Sequence, residues 1–371
     1  MRRLIAGLML TLSSGLPANV CSAQALNPWQ ETLPSPRDWQ GFGDWSAAVW
    51  DGRIYMIGSA KSSPTSNQSG QNWVATIGGG GTITGWNPVS TSNVQRSYAG
   101  SAVAANGYMY TIGGSPLPYD TFSSVEYARI NADGTLGDWA QTSSLVHTTG
   151  RAGAVAWGNH LYLVGGAQTH GGPWLATTQV AQIMPDGSLG PWVEDPSVMH
   201  AAHPQNAAVV HNGWIYSLSG GYHDYFTSTV ERAQVLTDGS LSQWILESPL
   251  PNGVASHGAA ILNDIVYLFG GHTGAYGSNL TDKVWSAVIN PNDHSLGTWH
   301  EEVKLPVADQ YSGVAVGDYL YALRGFDVQQ TFYTNGVPEP STLMLLGIGA
   351  LGLLAYAWRR KRAGRVVGQA F

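Results

Sequence analysis

Residues 133–139 read DGTLGDW, and the string returns as DGSLGPW at 186–192, DGSLSQW at 238–244 and, with one substitution, DHSLGTW at 293–299. A degenerate earlier copy, GTITGW, occupies 81–86. The closing tryptophans, Trp86, Trp139, Trp192, Trp244 and Trp299, are separated by 53, 53, 52 and 55 residues. Self-similarity at such a period marks a repeat architecture, in which one supersecondary unit recurs and buries its apolar face only against its neighbours.

A second string runs out of phase with the first: GRIYMIGS from 52, GYMYTIGG from 107, NHLYLVGG from 159, GWIYSLSGG from 213, DIVYLFGG from 264 and DYLYALRG from 318. Each of the six copies follows a run of small residues such as SAVAAN or AAVVHN. Each precedes a variable segment and then a strand-like run such as VEYARI, TQVAQI, VERAQV or KVWSAV. Alternating apolar residues broken by Asn-Gly, Asp-Gly and Gly-Asn pairs predict short antiparallel strands and hairpins. The unit is therefore four strands: a small-residue strand, the Tyr strand, the Val-x-x-Ala strand and a strand opened by Trp. Six four-stranded units of about 50 residues predict an all-β, six-bladed β-propeller.

The Tyr strand running into Gly-Gly, with a Trp later in each unit, resembles kelch repeats over residues 29 to about 335. The resemblance is strong in blades two to five. It departs at Gly58-Ser59 and Arg324-Gly325, which stand where Gly-Gly is expected. Arg96 and Arg151 match the usual first-strand Arg in inexact register. The small-residue strand is expected innermost, where six blades converge, and the Trp between adjacent blades. The sixth unit lacks a Trp strand of its own. Trp29 precedes Trp86 by 57 residues, so residues 28–34 are expected to close the ring against the last blade, leaving no sheet edge open.

Both ends of the chain carry export signals. Residues 1–25 contain two Arg, an apolar stretch and Ala23-Gln24-Ala25, the small-x-small pattern at which a secretory signal peptide is cut. Cys21 is the only cysteine and leaves with that signal, so the exported chain holds together without a disulfide. The other end, VPEPSTLMLLGIGALGLLAYAWRRKR at 337–362, has an uncharged apolar run from Leu343 to Trp358 followed by Arg359, Arg360, Lys361 and Arg362. The run, 343–358, is read as a transmembrane helix, and the basic cluster marks its cytoplasmic end. The order of Pro338, Glu339 and Pro340, apolar helix and Arg-rich end resembles the PEP-CTERM sorting signal of Gram-negative, exopolysaccharide-producing bacteria. That resemblance implies an exosortase partner that reads and removes the signal. The domains are thus a signal peptide at 1–25, the propeller at 26–336, the sorting signal at 337–362 and a short tail at 363–371. The exported product is expected at the cell surface or secreted, touching membrane only through the helix before processing.

Charge narrows the partners. Of 17 Lys+Arg and 24 Asp+Glu, seven basic groups (Arg2, Arg3, Arg359, Arg360, Lys361, Arg362 and Arg365) and Glu339 lie in the signals. The middle keeps 10 basic and 23 acidic groups, which argues against nucleic acid and anionic lipid as ligands of the ring. The turns within strand pairs one-two and three-four fall on one face. The opposite face carries long loops that differ from blade to blade and hold His170, Trp174, His223, Tyr225 and His272. Aromatic and polar groups on varied loops suit a sugar or a peptide near the channel mouth.

His203, His257, Arg96 and Arg151 are deeper candidates for acid-base or carboxylate-binding roles. The offsets of His170, His223 and His272 from their Gly pairs differ, so no metal site is assigned. No P-loop, Ser-His-Asp order or metal-spaced Cys/His motif is present, and no cofactor is expected. Three functions remain open. The first is an exported binding or scaffold propeller recognising exopolysaccharide or a surface protein. The second is a sugar-active enzyme working in the channel, similar to the sialic-acid mutarotases on six-bladed kelch rings. The third is a purely structural matrix component.

Overall fold

The computed structural model describes residues 25–36, 46–57, 71–94, 96, 101–114, 121–169, 171–324 and 330–336. His170, the sorting motif Pro338, Glu339 and Pro340, the apolar run 343–358, the tail 363–371 and the expected signal peptide up to residue 24 lie outside these.

The described strands form six four-stranded antiparallel sheets. The first blade comprises β2 (Ser46–Trp50), β3 (Arg53–Ile57), β4 (Asn72–Ile77) and β5 (Ile83–Val89); the second, β6 (Ser101–Ala105), β7 (Tyr108–Ile112), β8 (Val125–Arg129) and β9 (Ala140–Thr142). The third is β10 (Gly153–Trp157), β11 (His160–Val164), β12 (Thr178–Gln182) and β13 (Val193–Glu194). The fourth is β14 (Ala207–His211), β15 (Trp214–Tyr222), β16 (Tyr225–Gln234) and β17 (Ile245–Leu246). The fifth is β18 (Gly258–Leu262), β19 (Ile265–Phe269), β20 (Val284–Val288) and β21 (His300–Glu301). The sixth takes β22 (Tyr311–Val316), β23 (Tyr319–Arg324) and β24 (Thr331–Asn335) from the end of the described chain and β1 (Gln30–Thr32) from its beginning. In each blade the strand of small residues is innermost, and the only helices among the described residues are two three-residue 3₁₀ turns, Gly79–Gly81 and Ala275–Gly277.

The ring closes as the spacing of Trp29 predicts: Gln30, Glu31 and Thr32 pair with Tyr333, Phe332 and Thr331. The core is correspondingly divided. Six apolar clusters of buried residues lie one at each blade interface, for example Tyr110, Ile112, Leu161, Leu163 and Trp192 between blades two and three.

The two repeated strings turn out to be halves of one lock. In the first four blades the Tyr of the second strand reaches the Asp-Gly turn of the next blade, or Asp293-His294 in the fifth, and donates its hydroxyl to a backbone carbonyl: Tyr55 to Gly134, Tyr110 to Gly187, Tyr162 to Gly239 and Tyr216 to His294. Across the closure, Tyr321 donates to Gly81 at 2.7 Å. The indoles reach the other way, Trp139 to Ser90, Trp192 to Ser143, Trp299 to Ser248 and Trp29 to Val303, all carbonyls of the preceding blade.

Gly recurs in the turn because φ there is +83° at Gly187 and +88° at Gly239, and a Cβ would meet the ring of Tyr108 or His160 stacked above it. In the fifth blade His294 takes this place at φ 61° and stacks its imidazole on Trp214, which is covered on its other side by Arg232. Ring stacking there compensates the left-handed backbone that Gly adopts without strain.

Candidate functional site

Six inner strands start around one axis, and their first residues line a cavity of about 180 Å³. Alanines such as Ala47, Ala102, Ala154 and Ala208 form its wall, because larger side chains would collide where the blades converge. Its mouth is polar: Ser46, Ser101, Arg151, Gln205, Asn206, Ser256, His257 and Gln310. A belt of backbone hydrogen bonds runs along part of the mouth, from Gln205 N–H to Arg151 C=O (2.8 Å), Ser256 N–H to Gln205 C=O (3.0 Å) and Tyr311 N–H to Ser256 C=O (3.4 Å). To join it, Arg151, Gln205 and Ser256 adopt φ of 58°, 54° and 50°. Left-handed backbone at non-Gly residues costs on the order of 1 kcal/mol each and clusters at functional sites. Ser46, Ser101 and Asn206 spend side-chain capacity stitching neighbouring blades, to Ala102 N–H, Ala152 C=O and Gly153 N–H respectively.

A long hairpin of the fourth blade borders this mouth. This β15–β16 hairpin continues past the Leu218–Val230 pair, through a bulge at Ser219, to a tight turn between Tyr222 and Tyr225. At the tip Tyr225 stacks on Trp174 from the third blade, with centroids 5.0 Å apart and planes at 27°, and donates its hydroxyl to Ala202 C=O (3.0 Å). Tyr222 lies over the Arg151 guanidinium at 4.4 Å, and His223 packs edge-on against Tyr222. On the other flank Phe226 meets His272 of the fifth blade edge-on, and His272 Nε2 sits 3.3 Å from Gln205 Oε1. Of the expected mouth residues, the structure thus gathers Trp174, His223, Tyr225 and His272 around this hairpin. Burial pushes the His272 imidazole below its ordinary range, an effect reinforced by Arg151.

The four deeper candidates divide. Arg151 and His257 line the cavity; Arg96 and His203 do not. Arg96 is fully buried inside the second blade, donating to Gly113 C=O (2.5 Å) and Ser124 C=O (3.0 Å) and lying 3.5 Å from Glu126. Burial lowers its guanidinium to about 10, partly offset by Glu126. His203 takes the corresponding place in the fourth blade, held at Nδ1 by Ser217 (2.7 Å) and at Nε2 by Thr229 (2.8 Å), 3.6 Å from Glu231. In the third blade Gln179 holds Thr149 in the same way. These residues clamp the loop that leads into the inner strand.

His257 differs. It is 5% exposed, and neither ring nitrogen has a hydrogen bond of good geometry among the described residues; the backbone of Leu218 and Val254 offers only marginal contacts. Burial first, then His272 and His203, lower it to about 3, so it is neutral at ordinary pH and keeps one donor and one acceptor.

Gln205, Asn206, Ser256 and Gln310 are mouth residues that sequence reasoning did not single out. Their sequence neighbours do not repeat; Gln205 and Ser256 belong to the backbone belt, and Asn206 and Gln310 each adjoin a residue of it. The cavity lining holds one formal charge, Arg151, and no carboxylate. Its hydroxyls and amides offer both donors and acceptors, and Arg151 adds donors alone.

The comparisons with known proteins bear on both ends of this description. Residues 336–362 match the family model described as the PEP-CTERM protein-sorting motif. Kelch-like protein 23 of Homo sapiens is 30% identical over 161 residues, 43% of this chain and 27% of that protein, and its Mus musculus counterpart is 29% identical over the same length. The chain thus spans about a quarter of the curated relatives it matches. The solved structure titled "Structure of YjhT" aligns with a TM-score of 0.59 at 14% identity, covering 81% of this chain and 95% of that one, which speaks to the fold alone. The chain is an all-β six-bladed propeller with kelch-like homologues and a PEP-CTERM motif, and that motif marks an exported, surface or secreted protein processed by an exosortase.

Proposed function

We propose that this exported propeller is a binding module whose channel mouth holds one sugar unit of an extracellular polysaccharide. The observation that carries the reading is the polar mouth, with Arg151 as its only formal charge, bordered through Tyr222 by the hairpin that carries the Trp174–Tyr225 pair. The cavity offers space for about six water molecules at roughly 30 Å³ each, which suits one ring rather than a chain. The rest of a polymer extends outward past the aromatic canopy, where flat faces and hydroxyls recognise a saccharide. The test is calorimetric titration of oligosaccharides chosen on a glycan array, with Arg151→Ala and Trp174→Ala. Each substitution is expected to weaken binding at least tenfold, about 1.4 kcal/mol, without unfolding the ring. Retained affinity in both would refute the site.

His257 favours a second reading, a sugar-active enzyme, because a neutral imidazole with neither nitrogen held by a hydrogen bond of good geometry lies at the cavity wall. His257→Ala separates the two: it abolishes turnover of a sugar if the channel is catalytic and only alters affinity if it is not.

A further inference from the structure

The chain leaves the ring on the face opposite the channel mouth. In the closing blade Asn335 pairs with Tyr319, beside the Gly317–Asp318 turn, and Gly336 bridges to Leu26. The other end of the same blade carries Tyr311, which lines the mouth. Six residues, 337–342, separate Gly336 from the apolar run that begins at Leu343; fully extended they reach about 20 Å. The ring is deeper than that: β15 alone runs nine residues from the turn face to the canopy, about 30 Å. The linker is too short to bring the mouth to a surface in which the apolar run is embedded.

We infer that while its tail is held in a membrane, the ring stands with the turn face toward the bilayer and the channel mouth and canopy pointing away from it. This rests on reading 343–358 as a membrane helix. Electrostatics keep that face from adhering to the bilayer. The turn face carries Asp133, Asp186, Asp238 and Asp293, each accepting from a Ser or Thr two residues on, with Asp264 and Asp318 beside them. Anionic headgroups repel such a face, so the ring stands off the surface at the reach of its linker, and the orientation rests on the exit point of the chain and the linker length. A ligand therefore reaches the mouth from the side away from the bilayer, unobstructed by lipid.

The chain from Leu26 to Phe371 contains no cysteine, so single probes are placed cleanly. Asp318→Cys on the turn face and Asp224→Cys at the canopy tip, both exposed positions, are each labelled with a fluorophore. The labelled chains are reconstituted into vesicles of phosphatidylcholine and phosphatidylglycerol carrying a headgroup-attached quencher. Vesicle flotation is measured on the same samples. The expected result is co-flotation of both, strong loss of fluorescence at position 318 and little at 224. Co-flotation with equal quenching, or with stronger quenching at 224, overturns the orientation and leaves the membrane helix intact. Failure to float removes the membrane helix and the orientation with it.

Discussion

Replacing Tyr162 by Phe removes one hydroxyl from a fully buried ring and nothing else. That hydroxyl donates to Gly239 C=O at 2.8 Å across the interface between blades three and four. The lost bond is worth about 1 kcal/mol net, and the orphaned buried carbonyl adds a penalty of similar size, so a loss of about 1–2 kcal/mol is expected. Tyr110→Phe acts on the next interface, through Gly187 at 2.8 Å. The double variant should lose the sum to within about 0.5 kcal/mol, because the two locks share no partner. Equilibrium urea unfolding followed by tryptophan fluorescence reads the effect as a lower midpoint at unchanged slope. A Tyr162→Phe protein within about 0.3 kcal/mol of the parent would show that the lock is geometric coincidence, and that packing alone joins the blades.

Three further outcomes follow from the same structure. Deleting residues 26–34 strips β1 and Trp29 from the closing blade and opens the ring, at a cost of several kcal/mol against a total stability of about 5–15; an unchanged melting temperature contradicts closure by the N-terminal strand. Acid should destabilise the ring before its carboxylates titrate. His203 and His257 are lowered by burial to about 4 and about 3, so between pH 6.5 and 4 the unfolded chain binds protons that the folded ring refuses. Stability is complete above pH 6.5 and falls as pH drops through that window, by about 3 kcal/mol for His203 alone; His203→Gln should flatten that slope, and a profile as steep as the parent's counts against it. Intact-mass measurement of the exported protein should show the segment beyond about Val337 missing, and a full tail on soluble exported protein sinks the reading of that segment as a removable signal.

The repeat was readable because the ring uses one contact at interface after interface. Tyr strand and turn recur because Tyr55, Tyr110, Tyr162, Tyr216 and Tyr321 each bond the turn of the next blade, although their spacing alone did not reveal that one bonds the other. Trp29 betrayed the closure for the same reason. The mouth was harder to read. Arg151, Gln205 and Ser256 share a left-handed backbone rather than a residue type, and non-Gly residues at positive φ leave no pattern in sequence. Arg96 and Arg151 looked alike at nearly equivalent positions, yet one clamps a loop inside its blade and the other lines the channel, a difference set by their offset from the inner strand. In sequence the canopy reads as a loop, because YHDYF follows Gly220-Gly221 where the other blades carry variable loops. Two aromatic residues flanking His223-Asp224 were the available sign of a hairpin turn.

The central claim is that recognition happens at the channel mouth, and a crystal structure of the ring with a bound oligosaccharide tests it most directly. The account predicts a sugar unit within hydrogen-bonding distance of Arg151 and His257, with the next unit against Trp174 or Tyr225. A ligand seated among the turns around Asp133, Asp186 and Asp238, with the mouth empty, would contradict it.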